Sequence, residues 1–523
     1  MMRSYQKWLG EGPEWSLLRL MGFFDRPAKG KEIQALLAEP PIPGLSKQIL
    51  KLDPPARKRA LSRLRRLRLL AESPPDDPDG MDAHPLLREY LTEQLQQHFP
   101  QACREGHRRL YEHLKQSAQQ LPDTLEEMMP LYQAVAHGCR AGLHQKAMDE
   151  VYWSRILRER QHFSGRKLGA FGADLAAVSS FFERPWDRPS GNLTEEAQPF
   201  LLNEAGFRLR ALGRLSEAAK PMRAGLKAFE SSKDWENAAA QAGNLSELHL
   251  TLGDLLQAVD DARNSVELAD RSGDAFARMA ERTALADALH QSGDLAQARS
   301  FFQQAEQMQK EQQPQYPLLS SLQGFQYCDL LLGECEALVR TPPAPQAEPA
   351  PSRPQALSRC REVRERIEKV IEWRSPSDSI LDIALEHLTL GRTFLLEAAL
   401  EAPSPDLLSP AQHHLDLAVT GLRESGNQDD IPRGLIARAQ LHRVQCHFLD
   451  AQQDLDEATQ IASRGPMPLF QTDIHLEQSR LHHAQGNLDA ARQALSQARD
   501  LIQKHGYHRR DAELEALEKT VRL

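Results

Sequence analysis

The chain has 523 residues, 41% of them hydrophobic and 26% charged, with a net charge of −9. That length supports two to four packing units, and the acidic balance excludes a whole-chain affinity for nucleic acid or acidic membranes. Six cysteines without a CxxC pair or compact framework, no opening apolar stretch and no run of 18 apolar residues lead us to expect a reduced, cytoplasmic protein with neither signal peptide nor membrane span.

Residues 1–100 read as a small domain of their own. E-W-S-L-L-R-L-M-G-F-F (14–24) and G-K-E-I-Q-A-L-L-A (30–38) predict short amphipathic helices, and P-P-I-P-G leads to a third, R-K-R-A-L-S-R-L-R-R-L-R-L-L. The turn-rich P-P-D-D-P-D-G between L-L-A-E-S and M-D-A-H-P suits a hairpin, so strand is expected only near 68–84, and Pro85 opens a fourth helix. Three helices and a hairpin outline a winged helix. Its third helix carries seven Arg or Lys between Arg57 and Arg68, which could track DNA phosphates, while Leu61, Leu64 and Leu67 give it an apolar face suited to packing. Residues 101–195 form a helical connector, closing at R-P-W-D-R-P-S-G-N-L.

Beyond it a ruler of small residues appears. Ala218/Gly225, Ala258/Ser265 and Ala298/Ala305 recur every 40 positions, with Gly213, Gly253 and Gly293 five residues ahead of each pair. Ala411/Ala418, Ala451/Ala458 and Ala491/Ala498 repeat it, with Gly486 in the last turn. Small residues seven apart share a helix face and admit a close neighbour, and the glycine breaks the chain, so each copy is helix, turn, helix. A-L-G-R-L-S-E-A, T-L-G-D-L-L-Q-A and Q-S-G-D-L-A-Q-A resemble the turn and second helix of the tetratricopeptide repeat. The period is longer than that family's ~34 residues and nearer the ~40–47 of HEAT and armadillo units, but the spacing from glycine to the small pair favours the tetratricopeptide. The arrays are expected over 196–340 and 358–523, split by a proline-rich linker at 341–357; a poorer copy turns at Gly333, with Leu338 where a small residue belongs. The fold class is therefore all-α, a tetratricopeptide-like solenoid preceded by a small winged-helix module.

The phrases L-L-R-L-M-G-F-F-D-R-P-A, P-P-I-P-G-L and D-A-H-P-L-L-R-E-Y-L resemble the winged-helix region that follows the nucleotide-binding core of bacterial STAND NTPases, which are NB-ARC-like signalling ATPases. H-R-R-L-Y-E-H-L-K and the segments after it are similar to the connector leading to the tetratricopeptide sensor of such proteins. The resemblance implies that His84 reaches the β-phosphate of ADP in the switched-off state, provided an NTPase core is joined in cis or docked in trans. Plant relatives carry Met-His-Asp there; Ala83 and Pro85 flank the histidine here, so no aspartate role carries over. No phosphate loop or Mg²⁺-binding acid pair occurs in the chain, so we expect no catalysis and no cofactor of its own, with ADP or ATP entering only through the missing core.

A sensor of this kind would use the concave side, lined by the first helix of each pair. Counting back from the turns places Asn203, Arg210, Glu247, Asp287 and His290 there, then Arg433, Gln440, Arg443, Asp473, Arg480 and His483. Polar residues spread over stacked repeats suit a peptide or protein partner, although any one of them also fits a plain solvated face. His413/His414 and His482/His483 are adjacent pairs pointing about 100° apart on a helix, and no H-E-x-x-H or Cys/His quartet completes a site, so no metal site is expected in the chain. The functional expectation is the non-catalytic sensing portion of a STAND-type ATPase, either truncated or separately encoded. The alternative is a tetratricopeptide-scaffold transcriptional regulator that binds DNA through the winged helix.

Overall fold

The computed structural model describes residues 9, 10, 12–340, 352–401 and 403–522. The chain divides into two compact units, Met1–Phe163 with Ser179–Glu183 and Ser190–Thr194, and Ser164–Val178 with Arg184–Pro189 and Glu195–Leu523.

In the first unit, α1 (Pro13–Arg19) runs into a 3₁₀ turn, Leu20–Phe23, and is followed by α2 (Gly30–Leu36), α3 (Pro54–Arg66), α4 (Pro85–His98), α5 (Pro100–Ser117) and α6 (Leu125–Arg140). Proline opens four of these helices, where its missing N–H would have had no partner anyway. Trp15, Leu18, Phe23, Leu64, Leu91 and Leu95 are buried in one core. Gly22 lets the 3₁₀ turn lie against α4: a Cβ there would fall 2.7 Å from the Leu91 carbonyl carbon. The Thr92 hydroxyl donates to the Gly22 carbonyl across that contact, at 2.8 Å. The basic α3 buries Ala60, Leu61 and Leu64, so its apolar face packs as expected.

The expected hairpin near 68–84 takes another form. Among the described residues that segment holds no strand, only an isolated antiparallel bridge from Met81 to Ala28 and a bond from the Ala71 N–H to the Asp82 carbonyl, 2.9 Å. Pro74, Pro75 and Pro78 lack the N–H groups a ladder needs. Asp77 instead accepts from the Gly30 N–H, 3.0 Å, tying the loop to the start of α2. The named strands are short and lie elsewhere, at Phe182–Arg184 and Arg188–Pro189.

The second unit is an all-α solenoid of helical hairpins: α7 (Ala197–Ala211) with α8 (Leu215–Ser232), α9 (Trp235–Thr251) with α10 (Leu255–Ser272), α11 (Ala275–Ser292) with α12 (Leu295–Gln312), and α13 (Ser321–Arg340) with α14 (Arg353–Glu372). It continues with α15 (Ile380–Leu400) and α16 (Pro405–Glu424), α17 (Ile431–Val444) and α18 (Phe448–Arg464), α19 (Pro468–Ala484) and α20 (Leu488–His505), then α21 (Asp511–Arg522). Gly213, Gly253, Gly293 and Gly486 hold φ of 73°, 75°, 93° and 78°, left-handed values that a side chain would strain. Asp254, Asp294 and Asn487 then cap the next helix by accepting an N–H three residues on. The small residues Ala218, Ala258, Ser265, Ala298 and Ala305 are fully buried.

Gly333 lies inside α13 rather than in a turn. Residues 341–351 of the expected linker lie outside the described residues, as does the Leu338 side chain, while Arg353 begins α14. The helices on either side pair with each other: Cys328, Leu332 and Cys335 of α13 share a core with Ala356, Cys360 and Val363 of α14. The proline-rich stretch therefore connects two helices of one hairpin, and the repeats on both sides belong to a single unit.

The later hairpins pack back onto the inner face of the earlier ones. Helix α9 meets α19, α11 meets the 3₁₀ turn His508–Arg510, and α13 meets α21. At one crossing the His505 ring lies against the turn of Gly253, with Nδ1 3.0 Å from its carbonyl oxygen.

Candidate functional site

Where the inner faces meet, most of the expected partner-binding residues are already paired with one another or with charged groups from distant hairpins. Arg210, at the end of α7, bridges Glu247 of α9 and Asp429, its Nε donating to the latter at 2.8 Å. Asp430, beside it in the loop before α17, accepts from the Arg433 Nε at 2.9 Å. The Arg433 guanidinium stands over the rings of Phe325 and Phe470, at 5.5 and 5.3 Å.

The centre of the seam is Asp329 on α13, which receives Arg509 at 2.7 Å and Arg392 of α15 at 2.8 Å. Arg392 also donates to Glu336, 2.8 Å, and Arg509 donates to Gln291, 3.0 Å. Gln291 in turn donates to Asp287 at 2.8 Å. Arg510 extends the network to Asp473, at 2.7 and 2.9 Å, and to Glu513, 2.9 Å. Arg480 joins Glu513 to Glu477, and Arg443 also donates to Glu477.

Burial raises the carboxyl of Asp329, but Arg509 and Arg392 outweigh it and hold the group well below the usual range. Asp287 has no such pair of cations in contact, and burial pushes it up to about 6. Asp430 is likewise raised to about 6 by burial and by neighbouring Asp429. His290 is buried with Nδ1 3.8 Å from Asp329; burial, with Arg509 nearby, keeps its ring well below the ordinary histidine value and neutral.

Three of the expected residues stand apart from the seam. Asn203 is half-buried and accepts a long bond from Asn244, 3.5 Å; Gln440 is half-buried on α17, and His483 is exposed at the end of α19. His84 caps α4, its Nδ1 accepting from the Leu86 N–H at 3.3 Å, with the side chain exposed. Of the adjacent histidines, His414 meets a different partner, its Nδ1 3.0 Å from that of His387.

Asp329, Glu336, Arg392, Asp429, Asp430, Arg509 and Arg510, with Gln291, Glu477 and Glu513, complete the seam, and the repeat pattern did not single them out. Two of them were visible as a charge doublet in a loop, N-Q-D-D-I, and two as another, Y-H-R-R-D. A repeat ruler says which face a residue occupies; it does not say which distant repeat will face it.

A tetratricopeptide repeat profile matches residues 282–312. The match covers the second half of α11 and all of α12, which marks a tetratricopeptide repeat over that part of the hairpin. Among solved structures, the chain is similar to a STAND protein with a tetratricopeptide repeat sensor from Pyrococcus horikoshii, at 14% identity over 99% of this chain and 67% of that one, TM-score 0.37. It is also similar to the Rap conjugation gene regulator of plasmid pLS20 in complex with the Phr* peptide, at 13% identity over 78% and 92%, TM-score 0.45. A third is the TPR2AB domain of yeast Sti1, at 14% identity over 63% and 100%, TM-score 0.21. No curated protein matches the chain. Among the described residues no helix is long and apolar enough to cross a membrane.

Proposed function

We propose that this chain is the non-catalytic, partner-sensing portion of a STAND-type signalling ATPase, in which a peptide or protein ligand competes for the inner face of the solenoid. The observation that carries the reading is the seam itself. Asp329 and Glu336 of α13 are held by Arg392 and Arg509 from the later part of the unit, and Arg210 of α7 is held by Asp429. An apolar interface opened to water loses its whole driving force, whereas an ionic one can exchange one cation for another. A ligand offering arginines to the acidic set would replace the chain's own. The first unit, without the expected strand hairpin, then serves as the switch, supported by its phrases, its four helices and the exposed His84 at the head of α4.

The test is fluorescence anisotropy with labelled Arg-rich and Glu-rich peptides of equal length. We expect the Arg-rich peptide to bind, more weakly as salt rises, and the Glu-rich one not to bind. Equal affinity for both, or binding unaffected by salt, would refute the reading. In the same role, the isolated chain should neither hydrolyse ATP nor retain ADP, and calorimetry showing tight ADP binding would contradict it. The regulator reading draws on the exposed Lys58, Arg59, Arg66 and Arg68 of the α3 region; salt-dependent binding to duplex DNA would mark it.

A further inference from the structure

The turn between α17 and α18 departs from its counterparts. Gly213, Gly253, Gly293 and Gly486 take the left-handed position in four other hairpins, but here Cys446 holds it, with φ 61°. The next residue, where Asp254, Asp294 and Asn487 cap their helices, is His447, whose side chain makes no capping bond. A turn that gives up both stabilising choices at once points to another use for its side chains.

His442, near the end of α17, and Asp450, in the first turn of α18, lie beside His447. One ring nitrogen of each histidine and one carboxylate oxygen of Asp450 fall within 4.8 Å of one another. The Nδ1 of His442 is buried and lacks a hydrogen-bond partner. Its Nε2 stands 3.8 Å from Asp454, a carboxylate fixed by Arg438 at 2.7 and 2.9 Å. That carboxylate, at ion-pair rather than hydrogen-bond distance, favours the proton on Nε2 and leaves the Nδ1 lone pair unused; closing by about 1 Å would make it the kind of carboxylate that orients a metal-binding imidazole. His447 and Asp450 are exposed, so their side chains can rotate to close the triangle.

We propose that His442, His447 and Asp450 bind a zinc ion, or a divalent transition ion with the same ligand preference, and so pin the α17–α18 turn. Two imidazoles and one carboxylate with bonds of about 2.0–2.2 Å, completed by water, form an ordinary zinc coordination set. Imidazole nitrogen disfavours calcium and magnesium, which take oxygen. The site is independent of the ionic seam and of any partner bound there.

The metal-stripped full chain, without an affinity tag, is titrated with Co²⁺ and followed by visible absorption, then back-titrated with Zn²⁺. One equivalent of Co²⁺ should bind and be displaced by Zn²⁺. His447→Ala and Asp450→Asn should each weaken binding by at least about 10-fold, the lower end of the loss that even outer-shell changes produce. Both side chains are exposed, so circular dichroism should show these variants folded. His98→Ala, removing an exposed histidine at the end of α4, should bind like the unaltered chain. The proposal is overturned if the unaltered chain takes up no Co²⁺ or Zn²⁺, if His447→Ala retains full affinity, or if His98→Ala loses as much as His447→Ala.

Discussion

His107 and His137 face each other inside the first unit, their Nδ1 atoms 2.8 Å apart and the Phe23 ring edge-on to His107 at 4.9 Å. One ring must donate and the other accept, so the accepting Nδ1 cannot take a proton without breaking the bond. Burial, reinforced by Arg140, pushes His107 down to about 3 and holds His137 well below its ordinary value. The unfolded chain takes up protons near the ordinary histidine pKa of about 6.5, and the folded chain does not. The unfolded state is therefore favoured progressively as pH falls from about 6.5 toward 3, by up to about 1.4 kcal/mol per pH unit for each ring. Urea unfolding between pH 7.5 and 5 should show this slope, and His107→Gln should remove about half of it. Equal slopes for the two proteins would place the proton uptake elsewhere. The pair was not legible beforehand, because two histidines 30 residues apart on neighbouring helices leave no spacing signal. His84 was legible as a helix-start residue because Pro85 follows it, and its ring does cap α4.

At the level of elements, the small pairs and turn glycines did most to reveal the hairpins. Ala258 and Ala298 sit fully buried between helices, where added methylenes have no room. Ala258→Leu should lower stability by about 1–3 kcal/mol through overpacking, and an unchanged melting temperature would refute that assignment. The ruler failed where local residues carried a second meaning. Gly333 continues α13, and nothing at 333 requires a left-handed backbone. The expected hairpin was read from turn residues alone, without counting the N–H groups that three prolines remove. Cys446 shows the converse: a turn lacking its glycine still forms between α17 and α18.

At the scale of the second unit, the decisive contacts join residues far apart in sequence, which no repeat pattern encodes. Arg509 reaches Gln291 across 218 positions and Asp329 across 180. Arg509→Ala leaves the buried Asp329 answered by Arg392 alone, and we expect a loss of about 2–4 kcal/mol in denaturant unfolding, below the ~3–5 kcal/mol for a fully abandoned buried partner. Asp329→Asn combined with Arg509→Ala should recover part of that loss, and strictly additive effects would show that the two do not act together.

A stack of repeats is ordinarily a one-dimensional system, whose stability grows with each neighbour and which frays from its ends. Contacts between hairpin three and the turn after hairpin seven turn that line into a loop. Its ends are no longer ends, and melting one repeat must break a distant one as well. The solenoid thus acquires the all-or-none behaviour of a globular domain, and a ligand that parts the seam would loosen several hairpins in one step.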